Sequence, residues 1–175
     1  TPEHSFNATL DWAATERLKL SLTASYVGQQ YILVPSSGVG KVTEDGYVTF
    51  DLVAAYALTD DVTLTLGQAG GQARVEIAEH RDLGALREFA LLSLLRNLHG
   101  LACWLVDSHI ALQGAQFPLP APPHADMYTR LFPGPVQFGA PRAGLQFDAH
   151  YLQLPLRRDG AALDQMLRRA LPILV

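Results

Sequence analysis

The chain is 175 residues long, 49% hydrophobic and only 17% charged, with a formal net charge of −4. That apolar content excludes a disordered chain, which needs low hydrophobicity and high net charge. With no basic run, the chain lacks the electrostatic footprint of a nucleic-acid arm. Cys103 is the single cysteine, so no internal disulfide framework is available. The most apolar stretch, Leu83 to Leu112, is interrupted by Arg87, Glu88, Arg96, Asn97 and His99. Its unbroken apolar runs fall short of the roughly 20 residues a membrane helix needs. No leader pattern opens the sequence at Thr1, which reads as a processed start or a fragment.

Composition changes along the chain. Residues 1–60 hold 3 basic and 7 acidic side chains, both lysines and seven of the ten threonines. Residues 61–175 hold 10 basic and 10 acidic side chains and nine of the eleven prolines. Two segments, 1–61 and 62–175, are one reading of this divide; a single domain with a strand-rich front is the other, since threonine favours strands.

In the front segment apolar residues take every second position. Leu18, Leu20, Leu22, Ala24 and Tyr26 form one run, Val48, Phe50, Leu52, Ala54 and Tyr56 a second, and Val62, Leu64 and Leu66 a third. A weaker run spans Phe6 to Trp12. Period two predicts strands with one apolar face each. Turn residues at Thr15-Glu16-Arg17, Pro35-Ser36-Ser37-Gly38 and Thr59-Asp60-Asp61 separate them. The bare reading is an antiparallel sheet. The pieces Pro2 to Asn7, Leu10-Asp11-Trp12, Arg17 to Leu20, Tyr26-Val27-Gly28, Gly46-Tyr47, Asp51-Leu52 and Tyr56 to Thr59 also resemble the last barrel strands of TonB-dependent outer-membrane receptors, over about residues 1–66. That resemblance implies local conformation and ancestry. It does not imply transport, because three or four strands cannot close a barrel.

Further on, residues 62–66 and 72–77 are predicted as strands around Gln68-Ala69-Gly70-Gly71. Leu91, Leu94, Leu95, Leu98, Ala102 and Leu105 recur at helical spacing, with Asp82 as a cap. Leu92 and Trp104 make this helix apolar on more than one side, which marks it as central. Residues 113–123 are read as too proline-rich for a long element. A short helix is expected at Ala125–Phe132, short strands at Val136–Phe138 and Leu145–Phe147, and a last helix from Asp159 to Leu171, stopped by Pro172. The fold class expected is therefore α+β: antiparallel hairpins, then an α+β segment with one long central helix and a C-terminal helix.

The run Phe117 to Ala125, with Tyr128, Arg130-Leu131-Phe132, Pro135 to Pro141, Leu145-Gln146-Phe147, Leu152 and Leu154-Pro155-Leu156, resembles the later half of the effector-binding, arabinose-binding-type domain of AraC-type transcriptional regulators, over about residues 62–175. The resemblance implies a non-enzymatic cytoplasmic sensor that takes a small-molecule effector or dimerises. Nothing in the sequence matches that family's helix-turn-helix, so no direct DNA binding is expected of this chain. The whole reads as a fusion or fragment. The alternative is a piece of an outer-membrane receptor, the one reading that involves a membrane.

Candidate chemistry is sparse. His99, Cys103 and Asp107, spaced i, i+4, i+8, share a helix face and are all competent ligands; a buried thiol beside a satisfied histidine is the plainer reading, and no metal is assigned. Gly38-Val39-Gly40-Lys41 fails as a phosphate loop because Pro35 and Val42 stand where Gly and Ser or Thr are required. No catalytic set and no cofactor motif is found. His99, Trp104 and Tyr128, with Phe132, are candidate effector-pocket residues, and Arg142, in a turn, is a candidate for an acidic effector. The open strand edges predict self-association through residues 1–66.

Overall fold

Period-two patterning does build strands at the front. The computed structural model describes residues 4–28, 30–33 and 41–170. Within them β1 (Ser5–Ala13), β2 (Leu18–Val27), β5 (Tyr47–Thr59), β6 (Val62–Ala69) and β7 (Gln72–Glu79) form an antiparallel meander, and β3 (Gln30–Leu33) pairs with β4 (Lys41–Glu44) in a separate hairpin. The turns follow from their residues. Thr15 Oγ1 accepts the Leu18 amide at 2.9 Å and closes the first. Gly70 and Gly71, at φ 56° and 79°, make the tight β6–β7 reversal, which needs left-handed backbone at both positions. The Pro35–Gly38 loop and the stop at Pro172 lie outside the described residues.

The predicted long helix is α1 (Arg87–Val106), entered through a 3-10 turn at Gly84–Leu86. Asp82 is not the helix cap expected of it: it accepts the Gly84 amide at 2.9 Å, a local bond ahead of the turn, while the cap positions are Leu83 and Leu86, neither with a side-chain bond. The helix ends at Asp107, left-handed at φ 52°, whose carboxylate takes Arg158 Nη2 at 2.7 Å. By length and composition alone the Gly84–Val106 helix would qualify to cross a membrane, which amends the expectation drawn from its interrupted apolar runs. Here Leu91, Leu95 and His99 are buried on the sheet, while Leu86 and Phe89 on other sides stay exposed.

After α1 come β8 (Leu112–Phe117), α2 (Asp126–Leu131), β9 (Val136–Phe138), β10 (Ala143–Asp148) and α3 (Gly160–Ala170), the last capped by Asp159 Oδ1 on the Ala162 amide at 2.8 Å. β8 is a strand the sequence did not place, short enough to agree with the expectation of no long element in 113–123. The prolines begin only at Pro118, and Gln113, Gly114, Ala115 and Gln116 have little strand propensity of their own. Tertiary pairing makes the strand: β8 lies antiparallel to β10 and parallel to β9.

The result is one eight-stranded sheet in the order β1-β2-β5-β6-β7-β10-β8-β9, running without a break through position 61/62. The fold is α+β. Its register puts Trp12, Leu20, Ala54, Leu66, Val75, Leu145, Ala115 and Val136 in a single row across all eight strands. Paired residues share a face, so one face of the whole sheet is apolar. The helices cover only part of it. Over β7, β10 and β8 they bury Ile77, Leu145, Ala115 and Phe117 beneath Leu91, Leu95, Tyr128 and Phe132. Over β1, β2 and β5 the same face is open: Phe6, Leu10, Trp12 and Phe50 are each more than 60% exposed. The opposite face is polar, with Glu76 of β7 meeting Arg74 of the same strand and Gln116 of β8, which lies across Gly144 of β10.

Candidate functional site

Where α1 lies over the sheet, packing is incomplete. A cavity of about 250 Å³ separates them, walled by Leu98, Ala102 and Leu105 of α1 and by Val75, Leu145 and Phe147 of the sheet. Further aliphatic side chains complete the wall, and His99 is its one polar residue. Helical spacing explains the α1 side, since residues 98, 102 and 105 fall on one stripe. Strand alternation explains the other, since Val75, Leu145 and Phe147 all point to the apolar face.

His99 is held from the segment that follows α1. Its Nε2 lies 2.9 Å from the Ile110 carbonyl oxygen, and the Ile110 amide donates to Cys103 Sγ at 3.3 Å. Cys103 Sγ is itself 3.6 Å from Nε2. The histidine is 8% exposed, and its Nδ1 is buried without a hydrogen-bond partner. So the expected thiol–histidine pair is there, but the histidine is only half satisfied. Asp107 is turned away to Arg158, and no cluster of three or more metal-competent side chains occurs among the described residues.

The other candidate residues are dispersed. Trp104 sits on a different side of α1, with the Arg158 guanidinium over its ring at 5.7 Å from the centroid and α3 beside it. Tyr128 is fully buried between Phe117 and Phe138, with ring centroids at 4.9 and 5.0 Å. Its hydroxyl donates to Glu88 Oε1 at 2.6 Å, and the same oxygen lies 2.8 Å from His124 Nε2. These bonds hold the Glu88 carboxyl below its ordinary range, Tyr128 first and His124 second, while burial pushes the Tyr128 hydroxyl well up. Phe132 is buried in that same aromatic cluster.

Arg142 lines a wide, open cleft of about 560 Å³ with His80, Arg81 and Arg87. The charges there are largely spoken for. Arg87 grips Glu79 with Nε and Nη2 at 2.8 and 2.9 Å and reaches the Pro118 carbonyl at 3.1 Å, which pins the start of α1 to β7. Arg142 lies 3.8 Å from Glu76. The larger cleft is thus an exposed, internally paired surface, whereas the smaller cavity is the better enclosed and the more apolar. Only His99 of the four candidates lines that cavity. Val75, which matters there as much, carried no sequence signal beyond alternation, and Phe147 stood out only as part of the family resemblance.

Comparison with known proteins bears on this architecture. Residues 50–156, more than half of the chain, match the family described as the arabinose-binding domain of AraC transcription regulators, N-terminal. The match begins inside β5, ahead of residue 62, and takes in every strand and helix that walls the cavity. An ornithine utilization regulator of Pseudomonas aeruginosa is 27% identical over 136 residues, which is 78% of this chain and 39% of that protein. The chain therefore spans well under half the length of that curated relative. No solved structure matches. The receptor resemblance of residues 1–66 gains no support from these matches. On the extent of the family match, with the cavity lying within it, the chain belongs to the arabinose-binding domain family found at the N-terminus of AraC transcription regulators.

Proposed function

We propose that this chain is a non-enzymatic effector-sensing domain of a cytoplasmic transcription regulator, with the effector seated between α1 and the sheet. The observation that carries the reading is the apolar cavity between α1 and the sheet, whose one polar lining residue is His99. Binding pockets are typically apolar with few polar groups placed to orient the ligand. Arabinose, in the family's name, and ornithine, in the relative's, are the two ligand chemistries that kinship offers for this chain.

Sensing needs a response to occupancy. A ligand entering the cavity touches both α1 and the strands β7 and β10, so occupancy couples the helix to the sheet. Self-association is the second part of the proposal. The uncovered apolar face of β1, β2 and β5 supplies the surface, and DNA is not contacted by this chain. The strands ahead of residue 50 are an addition to the family core, and β5 and β6 carry the sheet across the composition change at 61/62.

Benzene is the test probe for the cavity itself, since dry apolar cavities of this order take up such molecules. Saturating benzene should raise the melting temperature of the full chain, and Ala102→Phe, which fills the cavity, should abolish the increment. A rise that persists in the filled variant would place ligand uptake elsewhere and overturn the assignment.

A further inference from the structure

On the effector-binding reading above, we infer that a ligand enters this cavity as hydrocarbon alone, up to the size of two fused aromatic rings and with no polar atom inside. The wall offers a ligand no hydrogen bond. No Asp, Glu, Lys or Arg lines it, and His99 is its single polar side chain. Neither nitrogen of that ring is open to a ligand. Nε2 is engaged by the Ile110 carbonyl at 2.9 Å, and Nδ1 is buried with almost no surface that water or a ligand could touch. The backbone of the wall is committed as well. Leu98, Ala102 and Leu105 lie within α1, and the Leu105 carbonyl also takes the Arg157 amide at 2.8 Å. Val75, Leu145 and Phe147 belong to strands with a neighbour on each side, so their amides and carbonyls face the ladders. Ile110 gives its amide to Cys103 and its carbonyl to His99.

A polar group that leaves water without a partner opposes binding, and a charge opposes it most. A sugar carries a hydroxyl on nearly every carbon, and an amino acid carries an ammonium and a carboxylate. Seated here, none of these groups finds a partner, so arabinose and ornithine are not what the cavity takes up. A hydrocarbon leaves nothing unpaired. Volume sets its size. A dry cavity of about 150 Å³ takes up benzene. This one is about 250 Å³, and the extra volume, roughly 100 Å³, is room for a second fused ring. Leu98, Leu101 and Leu105 are only half-buried, so the cavity is not sealed. A longer effector can therefore seat its hydrocarbon part inside and keep a polar end in water.

The test compares benzene, naphthalene, hydroquinone, L-arabinose and L-ornithine on the full chain by calorimetry. Hydroquinone is the benzene frame with a hydroxyl at each end, so one hydroxyl must enter with the ring. Naphthalene is expected to bind about tenfold more tightly than benzene, because it takes more hydrocarbon out of water. Its binding should carry a negative heat-capacity change. Hydroquinone should bind about tenfold less tightly than benzene, and the sugar and the amino acid should give no heat. Ala102→Phe should remove the binding of both hydrocarbons. Should that variant fail to fold, the methyl resonances of Val75 and Leu98 in the unmutated protein take its place, and both should move with naphthalene. Hydroquinone bound as tightly as benzene would overturn the hydrocarbon class and leave the cavity as the effector site. Naphthalene bound no more tightly than benzene would overturn the size and leave the site likewise. Binding of arabinose or ornithine at the cavity would overturn the class while the sensing function stands. No binding of any probe, together with no benzene effect on melting, would remove both readings.

Discussion

Tyr128→Phe isolates one bond while sparing the aromatic packing. The ring is kept, so its edge contacts with Phe117 and Phe138 persist. What goes is the 2.6 Å bond to Glu88, which ties α2 to α1. A hydrogen bond to a charged group is worth about 1.5–3 kcal/mol when well shielded. The Glu88 side chain is 37% exposed and keeps His124, so water replaces part of the loss and about 1 kcal/mol is expected near neutral pH. The pH dependence follows from the direction of the Glu88 shift. Its carboxyl is held below the ordinary value of 4.5. A depressed folded value contributes stability above the unfolded value and loses it as pH falls through the folded one. The cost of Tyr128→Phe should therefore shrink on acidification below about 4.5, to roughly half, since a neutral carboxyl still accepts a weaker bond. Urea unfolding at pH 7 and pH 3.5, followed by tryptophan fluorescence, measures it; Trp104 on α1 and Trp12 on β1 report from both ends of the sheet. A loss equal at both pH values, or larger in acid, would refute the charge-assisted account. A loss well above 3 kcal/mol would show that the phenylalanine ring had not kept its packing.

Two further outcomes follow from the sheet. The exposed apolar residues on β1, β2 and β5 present about 1,000 Å² on one face, above the ~800 Å² per partner of a standard stable interface. The unmutated chain should therefore sediment as a dimer or larger, and Leu10→Lys with Phe50→Glu should return it to a monomer; an unmutated chain that stays monomeric at high concentration would dismiss that surface. Gly144→Ala should cost about 1–3 kcal/mol, because a Cβ there would stand 2.7 Å from the Val75 carbonyl oxygen of the adjacent strand. An unchanged urea midpoint would mean that β7 and β10 part more easily than their position in the middle of the sheet suggests.

How much was legible in the sequence depends on where each element gets its stability. The alternation in Leu18 to Tyr26 and Val48 to Tyr56 is local, and β2 and β5 stand where it places them. The α1 stripe and the cap at Asp159 are likewise local signals. β8 was not readable, because Gln-Gly-Ala-Gln becomes a strand only between β9 and β10. Of the site, His99 stood out as a polar residue on an apolar helix. Its surroundings did not, because Val75, Ile110 and Phe147 come from three distant segments, and no periodicity within one segment encodes their meeting. Trp104 and Tyr128 were flagged for being large and aromatic, a property that packing against Arg158 and against Phe117 accounts for equally well.

The place of β10 in the sheet sets an order of events in time. It follows every other strand of the described residues in chain order, yet it lies between β7 and β8. Until residues 143–148 emerge, β7 and β8 both carry open edges, and the floor beneath α1 is missing its central plank. The sheet is completed by insertion rather than by adding strands outward. Joining β7 to β10 also closes a long loop, a slow class of step. A nascent or prematurely ended chain that stops short of β10 thus holds two unjoined ladders with a bare helix above them, the form most exposed to pairing with a neighbour. Such a chain lacks the cavity between α1 and the sheet, so the site proposed for the effector is completed only by the insertion of this one strand.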